Sequence, residues 1–256
     1  VKAAAPQAVR FAAHDFNPAR RQPLIKFYFN LAPNPMKVAL LLEELGAEYE
    51  PVPVDTRKGQ QHAAEYLAVN PNAKVPAIID GETTVFDSNA ILLYLAEKTG
   101  RFLPEGGLAA RGPLLSWLMF VASGIGPYSG QAVHFRHYVP EPNPYGLNRY
   151  DFEAERHWKI LDAQLARGRY MLGASYTIVD MAVWGWARLI PTVMGSEEAW
   201  AKFPNVRRLL DEINQRPAVA AVERLRNKFK FKTEWDDEAR RHMFPQLARL
   251  AAAQSR

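Results

Sequence analysis

The stretch from Pro23 to Val54 constrains the fold more than any other part of the chain. Leu24 to Phe29 (LIKFYF) is a dense apolar and aromatic run of strand length. A helical pattern follows at once, with Val38, Leu41, Leu42 and Leu45 at i, i+3, i+4 and i+7. Asn34 reads as its N-cap and Pro35 as its first residue, where a missing N–H leaves nothing unsatisfied. Gly46 reads as its stop. Tyr49 to Val54 reads as a second strand, and the order strand–helix–strand suggests a parallel βαβ unit.

A short polar helix is expected around Ala63 to Leu67. Val75 to Ile79 and Thr83 to Phe86 read as strands joined by a hairpin turn at Asp80-Gly81. Ser88 then caps a helix carrying Ile91, Leu92 and Leu95. From Arg111 onward strand signals fade. Trp158, Leu161 and Leu165 recur at helical spacing, and Thr177 with Asp180 forms a variant capping box ahead of MAVWGWARLI, a helix apolar enough to require burial. The expected organisation is an arm (1–22), an α/β domain (23–104), a loop near Pro104 to Gly112, an all-α domain (112–226) and a basic, aromatic tail (227–256) whose helix pattern breaks at Pro245.

Composition narrows the chemistry. None of the 256 residues is cysteine, which excludes a disulfide scaffold, a Cys-ligated zinc site, an iron–sulfur cluster and a cysteine nucleophile. Any thiol chemistry must use a sulfur brought by a ligand. The formal net charge of +5 is small and interspersed, unlike the dense basic stripe of a nucleic-acid binder, and suits small anionic ligands. No apolar run of the ~20 residues that span a bilayer and no secretory core at the amino terminus is read, so a soluble, cytoplasmic protein without membrane or nucleic-acid partners is expected. His134 and His137 sit three apart on an expected helix, but no third ligand accompanies them, and no metal is expected.

Three local features converge on a ligand. The helix start at Asn34 offers free N–H groups and a dipole that favour an anion, including a thiolate. Pro76, after Lys74 and Val75, fits a cis peptide that presents the Val75 backbone to a peptide-like ligand as an added strand. Asp87-Ser88 offers a carboxylate for an ammonium group and a helix start for a carboxylate. Each feature alone has a plain structural explanation as a cap or an edge proline. Together they describe a receptor for a small peptide with a carboxylate, an ammonium group and a central thiolate.

FYFN…PNPMKVALLLEE, NPNAKVPAIID and FDSNAILLYLAEKTG resemble the thioredoxin-like domain of glutathione transferases. YTIVDMAVWGWA and FPNVRRLLDEINQRPAV resemble their helical domain, so the resemblance covers roughly residues 23–226. IGPYSGQAVHF, PYGLNRY and LAEKTGRFLP resemble the bacterial nu class, related to disulfide-bond oxidoreductases. The resemblance implies an α/β thioredoxin-like domain followed by an all-α domain, a homodimer, and glutathione as cosubstrate, with two molecules per site in that class. It implies that Asn34, Lys74, Val75, Pro76, Asp87 and Ser88 hold the first glutathione. Gln131 and Arg149 would face the second, with Gln61 nearby. Where the class carries a Thr-Pro-Asn turn this chain has Ala32-Pro33-Asn34, so the usual hydroxyl is missing. Tyr28, at the end of the first strand, is a candidate replacement, or a core residue of an aromatic strand.

Three functions remain in view: glutathione-dependent disulfide exchange on a small-molecule disulfide, transfer or lysis at an electrophilic carbon, and glutathione binding with little turnover. Phe120, Tyr128, Phe135 and Tyr138 are candidates for lining a substrate pocket or for the core. The tail aromatics Phe229, Phe231, Trp235 and Phe244 are expected to cover the site or pack on a partner subunit.

Overall fold

The computed structural model describes residues 24–247, so the expected arm and the last residues of the tail lie outside the described part. Four strands form one sheet: β1 (Ile25–Phe29), β2 (Tyr49–Pro53), β3 (Ala77–Asp80) and β4 (Thr83–Phe86). Their order is β2-β1-β3-β4. β1 and β2 run parallel, β3 is antiparallel to β1, and β4 closes the hairpin on β3. β1 obeys the two-residue period of a strand: Ile25, Phe27 and Phe29 are buried, while Lys26 is exposed and Tyr28 half-buried.

Between β1 and β2 lies α1 (Pro33–Leu45), which ends at Gly46 in the left-handed conformation (φ 64°) as expected. Its start differs from the expectation. Ala32 is the N-cap, and Asn34 lies inside the first turn. Pro33 takes the first helical position and disfavours a helical conformation at Ala32, whose N–H is held by Asn30 Oδ1 at 2.9 Å. Next come two short 3₁₀ turns (Thr56–Lys58 and Gln60–His62), α2 (Ala64–Val69), the β3–β4 hairpin and α3 (Ser88–Thr99). The α3 cap is Asp87, not Ser88. The Asp87 carboxylate accepts the N–H groups of Asn89 (2.9 Å) and Ala90 (3.1 Å), leaving Ser88 as the first helical residue.

The helical half begins with α4 (Gly107–Phe120), which passes through a five-residue π-helical turn (Val121–Ile125) directly into α5 (Gly126–His137). By length and composition alone this 31-residue helix is apolar enough to cross a membrane. It packs against α6 (Pro144–Leu165), α7 (Ile178–Ala187) and α8 (Ile190–Met194). Also present are α9 (Pro204–Asn214), α10 (Pro217–Lys228) and α11 (Asp237–Met243).

Every residue of α7 is buried. Its capping box is formed, with Asp180 accepting the N–H groups of Thr177 and Met171, each at 2.8 Å. Burial pushes the Asp180 carboxyl up to about 6, and these donors hold back a larger shift. α7 packs on α1 where Gly185 allows close approach: a Cβ there would sit 2.7 Å from the Pro33 carbonyl oxygen. The two halves thus share one core, with α1 between the sheet and the helices.

Beyond α10 the chain folds back over the sheet. Phe229 and Phe231 meet Phe29 edge-on, with centroids 5.3 and 5.8 Å apart. The Lys232 N–H donates to Asp55 at 2.7 Å, and Arg57 donates to the Lys232 and Thr233 carbonyls.

Candidate functional site

A cleft of about 580 Å³ opens between the starts of α1 and α3 on one side and α5 with its π turn on the other. Five of the expected site residues line it: Asn34, Lys74, Asp87, Ser88 and Gln131. An adjoining recess of about 380 Å³ lies beside Leu31, Ala32 and Pro33 and is roofed by Phe231 to Thr233 and Met243 of the folded-back tail. Tyr138 and Trp186 border both spaces. A larger groove on the outer helical face, about 850 Å³, is remote from these helix starts, and charges lining it pair with one another, as Arg136–Asp151 and Lys159–Glu155–Lys202 do.

Asn34 is the best defined of these residues. Pro33 and Pro35 have no N–H, and the Met36 N–H is bonded to the Ala32 carbonyl at 3.2 Å. Asn34 therefore supplies the free backbone donor at the tip of α1. Its side chain is fixed from the other domain: the Trp186 indole N–H donates to Asn34 Oδ1 at 3.0 Å. An indole N–H only donates, so the amide oxygen must face it and the amide NH₂ turns away toward the cleft. One residue thus offers two donors at the positive end of a helix dipole, which suits a thiolate or another small anion.

The Val75-Pro76 peptide is cis, as expected. Tyr66 and Asn70 hold the Lys74 carbonyl, each at 2.6 Å, so the loop before β3 is tied down just ahead of it. The Val75 backbone is used by no hydrogen bond among the described residues.

Three expected site residues are placed elsewhere. Tyr28 points to the sheet face opposite Phe27 and Phe29, with its ring 5.5 Å from that of Tyr66, and lines neither space. Arg149 pairs with Glu153 one turn along its own helix at 2.9 Å and is outside the cleft. Gln61 is buried under the tail, where its Nε2 donates to the His242 carbonyl at 3.2 Å. Of the four candidate pocket aromatics Phe120, Tyr128, Phe135 and Tyr138, only Tyr138 reaches the site. Phe120 and Tyr128 pack on His157, and Phe135 stacks on Tyr150. Among the described residues no cluster of metal-ligating side chains occurs.

The structure adds Trp186, Lys37 and Asn89. Two of them had a signal: an indole in an all-apolar helix needs an acceptor, and Lys37 interrupts an apolar helix face. Phe244 and Gln246 bring the tail to the cleft itself.

A four-stranded mixed sheet with a cis proline before β3 is joined through α1 to a helical layer, and the sequence places this chain in the glutathione S-transferase family. Its sequence matches the Glutathione S-transferase, N-terminal domain over residues 23–97 and the Glutathione S-transferase, C-terminal domain over residues 152–212. It is 38% identical to the disulfide-bond oxidoreductase YfcG of Escherichia coli over 76% of this chain and 92% of that protein. It is 39% identical to YghU, a disulfide-bond oxidoreductase of the same organism, over 79% of this chain and 74% of that protein. A glutathione transferase from Burkholderia graminis, solved with two glutathione molecules per subunit, superposes with a TM-score of 0.72 at 35% identity, covering 78% of this chain and 87% of that one. One from Pseudomonas putida, solved with one glutathione disulfide per subunit, also gives 0.72, at 32% identity over 80% and 93%.

Proposed function

We propose that this protein is a glutathione-dependent enzyme that catalyses thiol–disulfide exchange on small-molecule disulfides. Glutathione lies across the cleft, its sulfur at Asn34, its cysteinyl backbone along Val75, and its γ-glutamyl end at Asp87 and Ser88. The observation that carries this reading is the Trp186–Asn34 hydrogen bond, which turns the amide donor toward an anion at the tip of α1. The names of the two E. coli relatives and the ligands of the two solved transferases support it.

In the reaction, the bound thiolate attacks one sulfur of the disulfide. A glutathione–sulfur bond forms, the old S–S bond breaks, and the departing thiolate takes a proton from solvent. A second glutathione thiolate then attacks the mixed disulfide, releasing glutathione disulfide and the second thiol. Gln131 is the residue proposed to face that second molecule. Arg149 would do so only after leaving Glu153.

The recess beside Ala32 favours a second reading, attack on an electrophilic carbon, because it is walled mainly by apolar side chains. Measuring turnover of a simple disulfide beside an aromatic halide, each with reduced glutathione, separates the two. Disulfide turnover alone supports exchange, and halide turnover alone overturns it.

A homodimer in the cytoplasm completes the proposal. Exposed Phe86, Leu108 and Met119 support a second copy as their cover, and a cysteine-free protein that borrows a thiol suits a reducing compartment.

A further inference from the structure

Lys37 is one turn into α1 from Asn34 and is 1% exposed. Its Nζ donates to Asn89 Oδ1 at 2.6 Å, which places the nitrogen at the first turn of α3, beside Asp87 and Ser88 and on the floor of the cleft. An ammonium group has three donors, and Asn89 fills one. Among the described residues Lys37 forms no ion pair. Asp87 is the acid that acts on it, and one oxygen of that carboxylate is already committed to the Asn89 and Ala90 N–H groups. Burying a cation without a paired counter-ion is unfavourable, and burial pushes the Lys37 amine down to about 7. The other groups facing it bring no further negative charge. Lys74 is a cation across the cleft, and His134 on α5 is held below the usual imidazole range by burial. α7 contributes Gly185 and Trp186, and the Glu44–Arg216 pair lies two turns away at the far end of α1.

We propose that Lys37 is a positioning residue whose counter-ion is the ligand: a carboxylate bound at the start of α3 completes its charge, so that binding draws a proton onto Lys37 and locks the α1 and α3 starts together through Asn89. This rests on glutathione occupying the cleft. It goes further by assigning a role to a residue whose cost to the empty protein is recovered only when an anion binds. An ordinary structural lysine behaves differently, because replacing it harms the fold and leaves binding linkage untouched.

The test is calorimetric titration of the full chain with S-methylglutathione, which carries the carboxylates but no ionisable thiol, in buffers of different ionisation enthalpy. Because burial lowers the Lys37 amine to about 7, wild type should take up a proton on binding above that pH, and the uptake should shrink toward pH 6. Lys37→Met should abolish the uptake and weaken binding at least tenfold, while the thermal midpoint of the empty protein holds or rises. Lys37→Gln, which keeps a donor to Asn89, is the second variant should methionine not fold, and it too should lose the uptake. Running reduced glutathione in parallel separates the carboxylate from the thiolate. Glutathione bound as the thiolate releases its own proton, so it should show less net uptake than S-methylglutathione, whose uptake comes from its carboxylates alone. Wild-type binding of S-methylglutathione without proton uptake, or a Lys37→Met protein that binds as wild type does, overturns the role of Lys37 and leaves the glutathione reading standing. No binding of either ligand to wild type overturns both.

Discussion

The Trp186 indole N–H and the Asn34 amide oxygen, 152 residues apart in sequence and 3.0 Å apart in space, join the helical domain to the tip of α1. The bond sets which end of the amide faces the cleft, so Trp186 acts on the site through Asn34. Trp186→Phe keeps an aromatic ring but removes the indole N–H, which frees the amide to rotate. A drop in kcat/KM of about tenfold is expected, with the fold intact, from the ~1–1.5 kcal/mol that one oriented neutral hydrogen bond contributes. Asn34→Ala should lose more, about 10- to 100-fold, because it removes the donor itself while keeping the backbone N–H. Steady-state kinetics on both variants checks the order.

Gly185→Ala sets two effects against each other. Alanine gains about 1 kcal/mol of helix propensity, but its Cβ would meet the Pro33 carbonyl oxygen at 2.7 Å and Lys37 Cβ at 3.0 Å. The carbonyl belongs to backbone in the first turn of α1 and cannot swing away, so the clash wins. A net loss of about 1–3 kcal/mol is expected, seen as a fall in thermal midpoint of roughly 3–10 °C, together with weaker glutathione binding as α1 shifts.

Asp180→Ala should be costlier. It leaves the Met171 and Thr177 N–H groups buried without an acceptor, for a loss of about 3–5 kcal/mol. Chemical denaturation measures it, and the midpoint should move with little change in slope.

Stability of the empty protein should depend on pH in two separate windows. Lys37 binds its proton more weakly folded (about 7) than unfolded (10.5). The unfolded chain therefore holds the extra proton between those values, and stability rises as pH climbs from 7 toward 10. Asp180 is the reverse: its folded value of about 6 exceeds the unfolded 3.8, so its effect is a decline between pH 4 and 6. Denaturation curves of Lys37→Met should lack the upper slope and keep the lower one.

What was legible in the sequence is what local chemistry decides. The βαβ start, the Gly46 stop, the Asp80-Gly81 hairpin and the Thr177–Asp180 capping box all formed because each depends on residues a few positions apart. The start of α1 was misplaced because two prolines flank Asn34, and both fit a first helical position. Strand alternation alone indicates which way Tyr28 faces, since Phe27 and Phe29 claim the core face and send Tyr28 to the other side. Arg149 had its own partner in view at Glu153, one turn along. The aim of Asn34 and the burial of Lys37 were not legible, because Trp186, Gly185 and Asn89 reach them only through the packing of α7 and α3 on α1.

The most direct measurement is the thiol pKa of bound glutathione, read from thiolate ultraviolet absorbance as pH is varied, in wild type and in Asn34→Ala. A site that ionises a borrowed thiol at the tip of α1 should bring it at least one unit below the roughly 8.5 of a free cysteine thiol, and Asn34→Ala should return much of that shift. A bound thiol that titrates as it does in free solution, or the same lowered value in both proteins, would contradict the role assigned to Asn34.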